Sequence, residues 1–308
     1  MPNRVIIDTD PGTDDAIALF LALAPPALDV RLVTATGGNV GLVHTLANAR
    51  ALVGLSGSAV PVVAGAERAL LGGFTSETGV HGNNGLGGLI LPEGPPAAPG
   101  IAADAIRAEL RAAAPAGVTL VGIGPATNLA LALAAEPALL GRVAEIVLMT
   151  GAWAEGNVTP SAEFNAWSDP EALQILFACG RPITLATLEL TAQALCTPAR
   201  IAALRAAGDG ICLRTACAIL DSVPPSRRLG GRGHPQHDAC AIAWLLQPAL
   251  FTSREVHAEM DLAPGPSRGR TVIDRWGRNG RPANARLLET LDADGFFALL
   301  TARIAALP

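Results

Sequence analysis

Val5-Ile6-Ile7-Asp8-Thr9-Asp10-Pro11-Gly12-Thr13-Asp14-Asp15-Ala16 decides how this chain is read. Three branched apolar residues run straight into four carboxylates, all four within positions 8–15. The apolar run has the character of a buried strand, and Ile17-Ala18-Leu19-Phe20-Leu21 continues as a helix, so the acidic cluster caps a strand at its C-terminal end. In open α/β sheets that is where ligands bind. Carboxylates crowded on one turn repel one another and partly protonate unless something positive sits between them. No arginine lies between Arg4 and Arg31, so the local sequence does not supply the charge. A hard divalent cation, which prefers oxygen ligands, would. The plainer reading is a solvated turn whose aspartates favour a helix N-terminus, which accounts for one or two of them better than for four.

Outward from that stretch, the first half of the chain alternates short apolar runs with helical patterns. Strands are expected over 5–7, 30–36, 61–63, 119–123, 145–149 and 183–186, with helices over 15–24 (stopped by Pro25-Pro26), 43–55, 101–113, 129–135 and 172–179. This alternation predicts a mostly parallel central sheet flanked by helices. The second half is less regular. Helices are expected over 198–207, 211–220, 239–246 and 295–306, and strands over 256–260 and 270–273 as an antiparallel pair. Residues 65–100 form a long Gly- and Pro-rich connection containing His81-Gly82-Asn83-Asn84-Gly85, and loops of that length are usually functional or mobile. Residues 222–236 read as a second loop. No internal repeat or linker divides the chain, so one domain over 1–308 is expected.

Composition narrows the function. Half of the 308 residues are hydrophobic, enough for a large core, and the net charge of −5 favours neither nucleic acid nor an anionic membrane. The Ala/Leu-rich stretches are broken well before a membrane-spanning length, and no basic segment followed by an apolar one suggests a secretory signal. Five cysteines without a Cys-x-x-Cys pair read as small buried residues of a cytoplasmic protein. All 22 basic residues are arginine and there is no tyrosine, which excludes a lysine Schiff base or a phosphate-binding lysine.

Further polar residues follow the other strand ends: Asn39, Thr127, then Asn157, Glu163 and Asn165, with His237-Asp238 opening a late helix. In a doubly wound sheet these ends share one edge. Taken singly, an Asn after Gly-Gly is a turn residue and a His-Asp a helix cap. Together they suit a polyhydroxylated ligand held on a metal.

Several runs make a family resemblance explicit. Asp8-Thr9-Asp10-Pro11-Gly12-Thr13-Asp14-Asp15 resembles the N-terminal signature of the inosine–uridine-preferring nucleoside hydrolases. The likeness continues through Gly38-Asn39, the His81 loop, Gly124-Pro125-Ala126-Thr127-Asn128 and Val147-Leu148-Met149. It extends over Pro160-Ser161-Ala162-Glu163-Phe164-Asn165, Asp169-Pro170-Glu171-Ala172, Leu190-Thr191, His237-Asp238-Ala239 and Gly269-Arg270-Thr271-Val272. It spans essentially the whole chain in order.

The resemblance implies the nucleoside hydrolase fold, with its site at the C-terminal ends of the strands, and hydrolysis of the N-glycosidic bond of ribonucleosides. It implies a calcium ion held by Asp10, Asp15, Asp238 and the carbonyl of Thr127, with Asp10 as general base on a water. Asp14, Asn39, Asn157, Glu163, Asn165 and the Met149 carbonyl would hold the ribose as oxocarbenium charge develops. His237 would protonate or hydrogen-bond the leaving base, with His81 a second candidate and Phe164 beside the base. Asp8 would orient the ligands from behind. Residues 222–236 would be a mobile lid, and the family's tendency implies a homodimer or homotetramer. The lid lacks the tyrosine often found there and offers Arg227, Arg228 and Arg232, so base preference does not carry over. Two rivals remain. A haloacid-dehalogenase-like phosphatase also begins strand-Asp-x-Asp, but it expects Thr or Val where Gly12 stands and a later lysine. A non-catalytic nucleoside-binding protein would keep the contacts without turnover.

Overall fold

The computed structural model describes residues 4–25 and 28–308. Pro26, half of the expected Pro25-Pro26 helix stop, lies outside the described residues. In chain order the strands are β1 (Arg4–Thr9), β2 (Asp29–Ala35), β3 (Val62–Ala64), β4 (Val118–Gly122), β5 (Val143–Met149), β6 (Ile183–Ala186), β7 (Leu195–Cys196), β8 (His234–Pro235), β9 (Phe251–Met260), β10 (Thr271–Asp274) and β11 (Ala285–Leu291). Among the described residues, nine of them form one sheet in the order β10-β9-β11-β6-β5-β4-β1-β2-β3, while β7 and β8 pair separately. From β3 across to β11 every pairing is parallel; β9 and β10 add an antiparallel edge.

Strand β1 shows why the sheet is covered on both faces. Its side chains alternate, so Val5 and Ile7 enter one apolar layer and Ile6 the other, and all three are fully buried. Each such side chain contributes roughly 1.5–3 kcal/mol by leaving water. One layer is completed by helices Thr13–Leu23, Leu42–Leu55, Ile211–Ser222, His237–Leu246 and Ala293–Ala305. The other is completed by Ala102–Ala112, Thr127–Ala135 and Pro170–Phe177.

The strand order reverses between β1 and β4: β2 and β3 continue to one side, β5 and β6 to the other. Such a switch point opens a crevice beyond the strand ends. The acidic turn follows β1 at that crevice, and Thr127 opens a helix just after β4. Helices Thr13–Leu23 and His237–Leu246 pack directly on each other. Both helices are rich in small buried residues, Ala16 and Ala18 on one and Ala239, Cys240 and Ala243 on the other. Both helices start at the same sheet edge, which brings Asp238 to Asp14 and Asp15.

The parallel half follows the sequence pattern to within a few residues. The differences fall in the second half. β9 begins five residues before the expected 256, because its exposed polar start (Thr252, Ser253, Arg254, Glu255) is recruited by pairing with β11. β11 itself was not expected: Arg286 and Glu289 interrupt its apolar residues, and pairing with β6 and β9 sets its conformation. The end of the 222–236 segment is also not free loop. His234 and Pro235 pair with β7, and His234 and Gln236 are buried.

Candidate active site

A cavity of about 550 Å³ lies at the switch point. Asp14, Asn39, His81, Met149, Asn157, Glu163, Phe164, Asn165, His237 and Asp238 all line it. Asp10, Asp15 and Thr127 are buried beneath, and Asp8 lies deeper, within β1.

The floor is a set of carboxylates held by neutral donors. Asp15 Oδ1 accepts from the Thr9 hydroxyl (2.5 Å), and Asp15 Oδ2 accepts from the Gly12 amide (2.9 Å) and Asn39 Nδ2 (3.0 Å). Asp10 Oδ2 accepts from the Asn39 amide at 2.7 Å, while its buried Oδ1 has no partner. Two glycines make room for that carboxyl: a Cβ on Gly38 would stand 2.1 Å from Asp10 Oδ2, and one on Gly124 2.5 Å from Oδ1. Asp8 Oδ1 accepts from Thr34 Oγ1 (2.6 Å) and Asn128 Nδ2 (2.8 Å).

Ligand atoms of Asp14, Asp15 and Asp238 lie within 4.8 Å of one another, a spacing that fits a metal ion. Two of the four residues expected to hold metal, Asp15 and Asp238, are in that group; Asp14, expected on the sugar, joins them. Thr127 lies nearby at the start of helix Thr127–Ala135, its hydroxyl donating to Asp169 Oδ2 at 2.6 Å.

No arginine neutralises this floor, and its proton affinities show the strain. Burial raises Asp8 to about 7 and Asp14 to about 6. Burial, then the charge of Asp15, holds Asp10 well above the usual carboxylate range. Burial, then the charges of Asp14, Asp15 and Asp10, does the same to Asp238. Three helix N-termini, at Thr13, Thr127 and His237, offer only partial positive charge. An all-oxygen, multiply acidic, buried donor set is the chemistry of a hard cation site. The solvated-turn reading does not hold for Asp10, which is fully buried.

The side-chain amides of Asn157 and Asn165 are fixed by backbone. Asn157 Oδ1 accepts from the Phe164 amide at 2.9 Å. Asn165 Nδ2 donates to the Met149 carbonyl at 3.0 Å and the Ile123 carbonyl at 3.2 Å, so the Met149 carbonyl already has one partner. Glu163 caps helix Phe164–Ser168. It accepts from the amides of Asn165 (2.9 Å), Ala166 (3.0 Å) and Gly151 (2.8 Å), tying the loop after β5 together.

The opposite wall carries two histidines made neutral by burial, His81 pushed down to about 4 and His237 to about 3. The Thr13 amide donates to His81 Nδ1 at 3.1 Å, which places the ring proton of neutral His81 on Nε2. His237 Nδ1 shares a 2.7 Å hydrogen bond with Thr191 Oγ1. Burial thus takes His237 out of the near-neutral range of an ordinary histidine, and it stands in the cavity as a neutral imidazole.

The inosine-uridine preferring nucleoside hydrolase model matches residues 5–298. The chain belongs to that family. It is accordingly a hydrolase of N-glycosyl compounds. Among its relatives, the pyrimidine-specific ribonucleoside hydrolase RihA of Salmonella gallinarum is 41% identical over 310 residues, covering 99% of each chain. The structure is similar to that of a plant nucleoside hydrolase, with a TM-score of 0.92 and 30% identity over 99% of this chain and 100% of that one. A purine-preferring ribonucleoside hydrolase from Gardnerella vaginalis matches with a TM-score of 0.90 and 29% identity over 98% of both.

Several residues of this family member's site were not legible as such. Thr9 and Asn128 hold carboxylates, Thr191 holds His237, and Asp169 accepts from Thr127, Leu70 and Ala172 together. Asp169 alone had a local signal, an Asp before Pro at a helix start. His234 and Gln236, both buried and both lining the cavity, had none.

Proposed function

We propose that the chain hydrolyses the N-glycosidic bond of ribonucleosides, releasing ribose and free base, with calcium as its cofactor. The observation that carries this is one cavity with a carboxylate floor, sugar-height amides and a neutral histidine wall. Asp10, Asp14, Asp15 and Asp238, with the Thr127 carbonyl, would hold the ion, and the unpartnered Oδ1 of Asp10 fits that role. Bound there, calcium would lower the pKa of a water and grip the ribose hydroxyls.

The chain's own groups divide the remaining work. Asp10 accepts the water's proton; Asn39 anchors one of its oxygens and leaves the other free, and burial has raised its proton affinity. Asp14, Asn39, Asn157 and Asn165 hold the sugar, and Glu163 holds the loop that carries the last two. The carboxylates stabilise positive charge developing on the ring, a preorganised electrostatic effect. His81 donates from Nε2 toward the leaving base. His237 does the same when the Thr191 hydroxyl donates to its Nδ1. Because neither ring is a standing cation, they assist by hydrogen bonding rather than by delivering a stored proton.

The test is direct: incubate uridine, inosine and their 2′-deoxy forms with the protein and measure free base and reducing sugar. Ribonucleosides should be cleaved, and the deoxy forms should fall by roughly 10⁴–10⁵ in kcat/KM in the favourable case. Binding without release of base would leave a nucleoside-binding protein; in a parallel incubation with a nucleotide, release of free phosphate would restore the phosphatase reading.

A further inference from the structure

Two polar side chains on the cavity wall have no role in the chemistry above. His234 and Gln236 flank Pro235 at the end of the 222–236 segment and both line the cavity. They are 6% and 1% exposed, and His234 Nε2 and Gln236 Oε1 are buried without a hydrogen-bond partner. Buried polar atoms are normally paired, so two unpaired ones on one wall of one cavity are an anomaly that a ligand can resolve.

The segment is not free to turn them elsewhere. β8 pairs His234 with Cys196, and the Gln236 amide donates to the Ala194 carbonyl at 3.0 Å. Gly233 packs so closely that a Cβ would stand 2.1 Å from the Cys196 carbonyl oxygen. The Gln236 amide nitrogen makes one long contact, 3.4 Å to the Pro235 carbonyl, which leaves the side-chain oxygen as the group in want of a donor. His237 follows immediately, so this pair adjoins one of the two histidines proposed to assist the leaving base. Gly230 and Gly231 take positive φ further back, where the segment turns.

We propose that Gln236 and His234 form a base-reading subsite for a lactam edge, Gln236 Oε1 accepting the ring N–H and His234 Nε2 donating to the adjoining carbonyl. The proposal rests on the nucleoside hydrolase reading and adds the substrate class. Uracil presents that edge as N3–H beside a carbonyl, and hypoxanthine as N1–H beside O6. Cytosine has no ring N–H there. A site that hydrogen-bonds a group rejects the analogue lacking it, because its own buried atoms then go unpaired.

The experiment measures kcat/KM for uridine, N3-methyluridine, cytidine, inosine, 1-methylinosine and 4-nitrophenyl β-D-ribofuranoside, with the calcium-loaded wild type, Gln236→Met and His234→Phe. In the wild type, the unmethylated nucleoside should exceed its N-methyl form by roughly ten- to hundredfold. Gln236→Met keeps the side-chain length without the acceptor and should shrink that ratio to within a few-fold. His234→Phe should narrow the preference for uridine over cytidine. Both variants should hydrolyse the nitrophenyl riboside, which offers no lactam edge, within about twofold of wild type. A methyl-discrimination ratio unchanged in Gln236→Met would mean steric exclusion and overturn the subsite. So would an equal loss on every substrate including the nitrophenyl riboside, which is the mark of a purely structural residue. A wild type that discriminates no methylated base overturns it as well. A wild type that cleaves no riboside at all removes the hydrolase reading and the subsite with it.

Discussion

Asp10, Asp14 and Asp15 reach the cavity floor from the turn after β1 and the first turn of the helix that follows, with Asp8 behind them in β1. His81, His234, Gln236 and His237 reach the cavity wall from two stretches far apart in the chain, the end of a short helix at His81 and the β8–helix junction at 234–237. The floor is crowded with like charge and its donors are neutral, so folding leaves it with raised proton affinities that only a cation or protons relieve. The wall carries little charge of its own: burial keeps its imidazoles neutral, and hydrogen bonds with Thr13, through both its amide and its hydroxyl, and with Thr191 orient them. One region works through electrostatics, the other through hydrogen-bond direction. Perturbing each should therefore leave different signatures.

Removing divalent ions should have the largest effect. Activity should vanish on chelation and return with calcium, and full turnover in a verified metal-free preparation would remove the cation from the floor. Stability gives a second readout. Asp8 and Asp14 sit at about 7 and about 6 in the folded protein, against about 4 unfolded. As pH rises from about 4 to 7 the unfolded chain releases these protons first, so metal-free stability should fall over that window. The histidines act oppositely: His81 at about 4 and His237 at about 3 resist protonation when folded, so they cost stability as pH falls below about 6.5. The raised carboxylates, which include Asp10, Asp15 and Asp238, outnumber them. Thermal melts of the metal-free protein should drop between pH 5 and 7, and the increment from added calcium should grow across the same range, because metal binding expels protons.

Next comes Asp10→Asn, which keeps the shape and removes the proton acceptor. kcat should fall by roughly 10²–10⁴ with every riboside, including one whose leaving group needs no help. The metal-free variant should melt no lower than metal-free wild type, since a like charge has left a buried cluster. Near-normal kcat would mean another group takes the water's proton.

The same contrast explains what could be read from the sequence. The floor was legible because its carboxylates are adjacent in the chain and follow an apolar run, which marks both a strand end and a charge problem. The parallel sheet was legible from the same alternation. β11 and the first half of β9 were not, because their exposed, mixed-polarity residues become strands only by pairing. On the wall, the histidines carried a family signal, but their protonation did not: it depends on burial that no local pattern reports. Thr191, His234 and Gln236 matter only through what the fold sets beside them.

A smaller loss is expected from Thr191→Val, which deletes the partner of His237 Nδ1 without touching the floor. Uridine kcat should fall by about tenfold as the imidazole loses its fixed donor direction, and Thr191→Ser should restore it. His237→Ala should lose more. Neither should matter much for 4-nitrophenyl riboside. Equal losses on both substrates would show that His237 serves the metal or the fold, and leaving-group assistance would pass to His81.

The smallest effect belongs to the rim. Arg227 lines the cavity, while Arg228 donates to the Glu155 carbonyl at 2.8 Å with its guanidinium 3.8 Å from the Glu155 carboxylate. That contact joins the segment carrying His234 and Gln236 to the loop after β5 that carries Asn157 and Glu163. Both partners are substantially exposed, and exposed pairs are worth about 0–1 kcal/mol. The segment also has internal ties: the Ser226 amide donates to the Gly233 carbonyl at 2.7 Å, and the Gly231 amide to the Ser226 carbonyl at 2.9 Å. The latch thus adds to a turn that already holds itself. Arg228→Ala should raise KM for uridine by no more than about fivefold, leave kcat nearly unchanged, and lose its effect at high salt, where surface charges are screened. A large fall in kcat instead would mean that closure across the rim, and not the fixed wall beneath it, orients the base for departure.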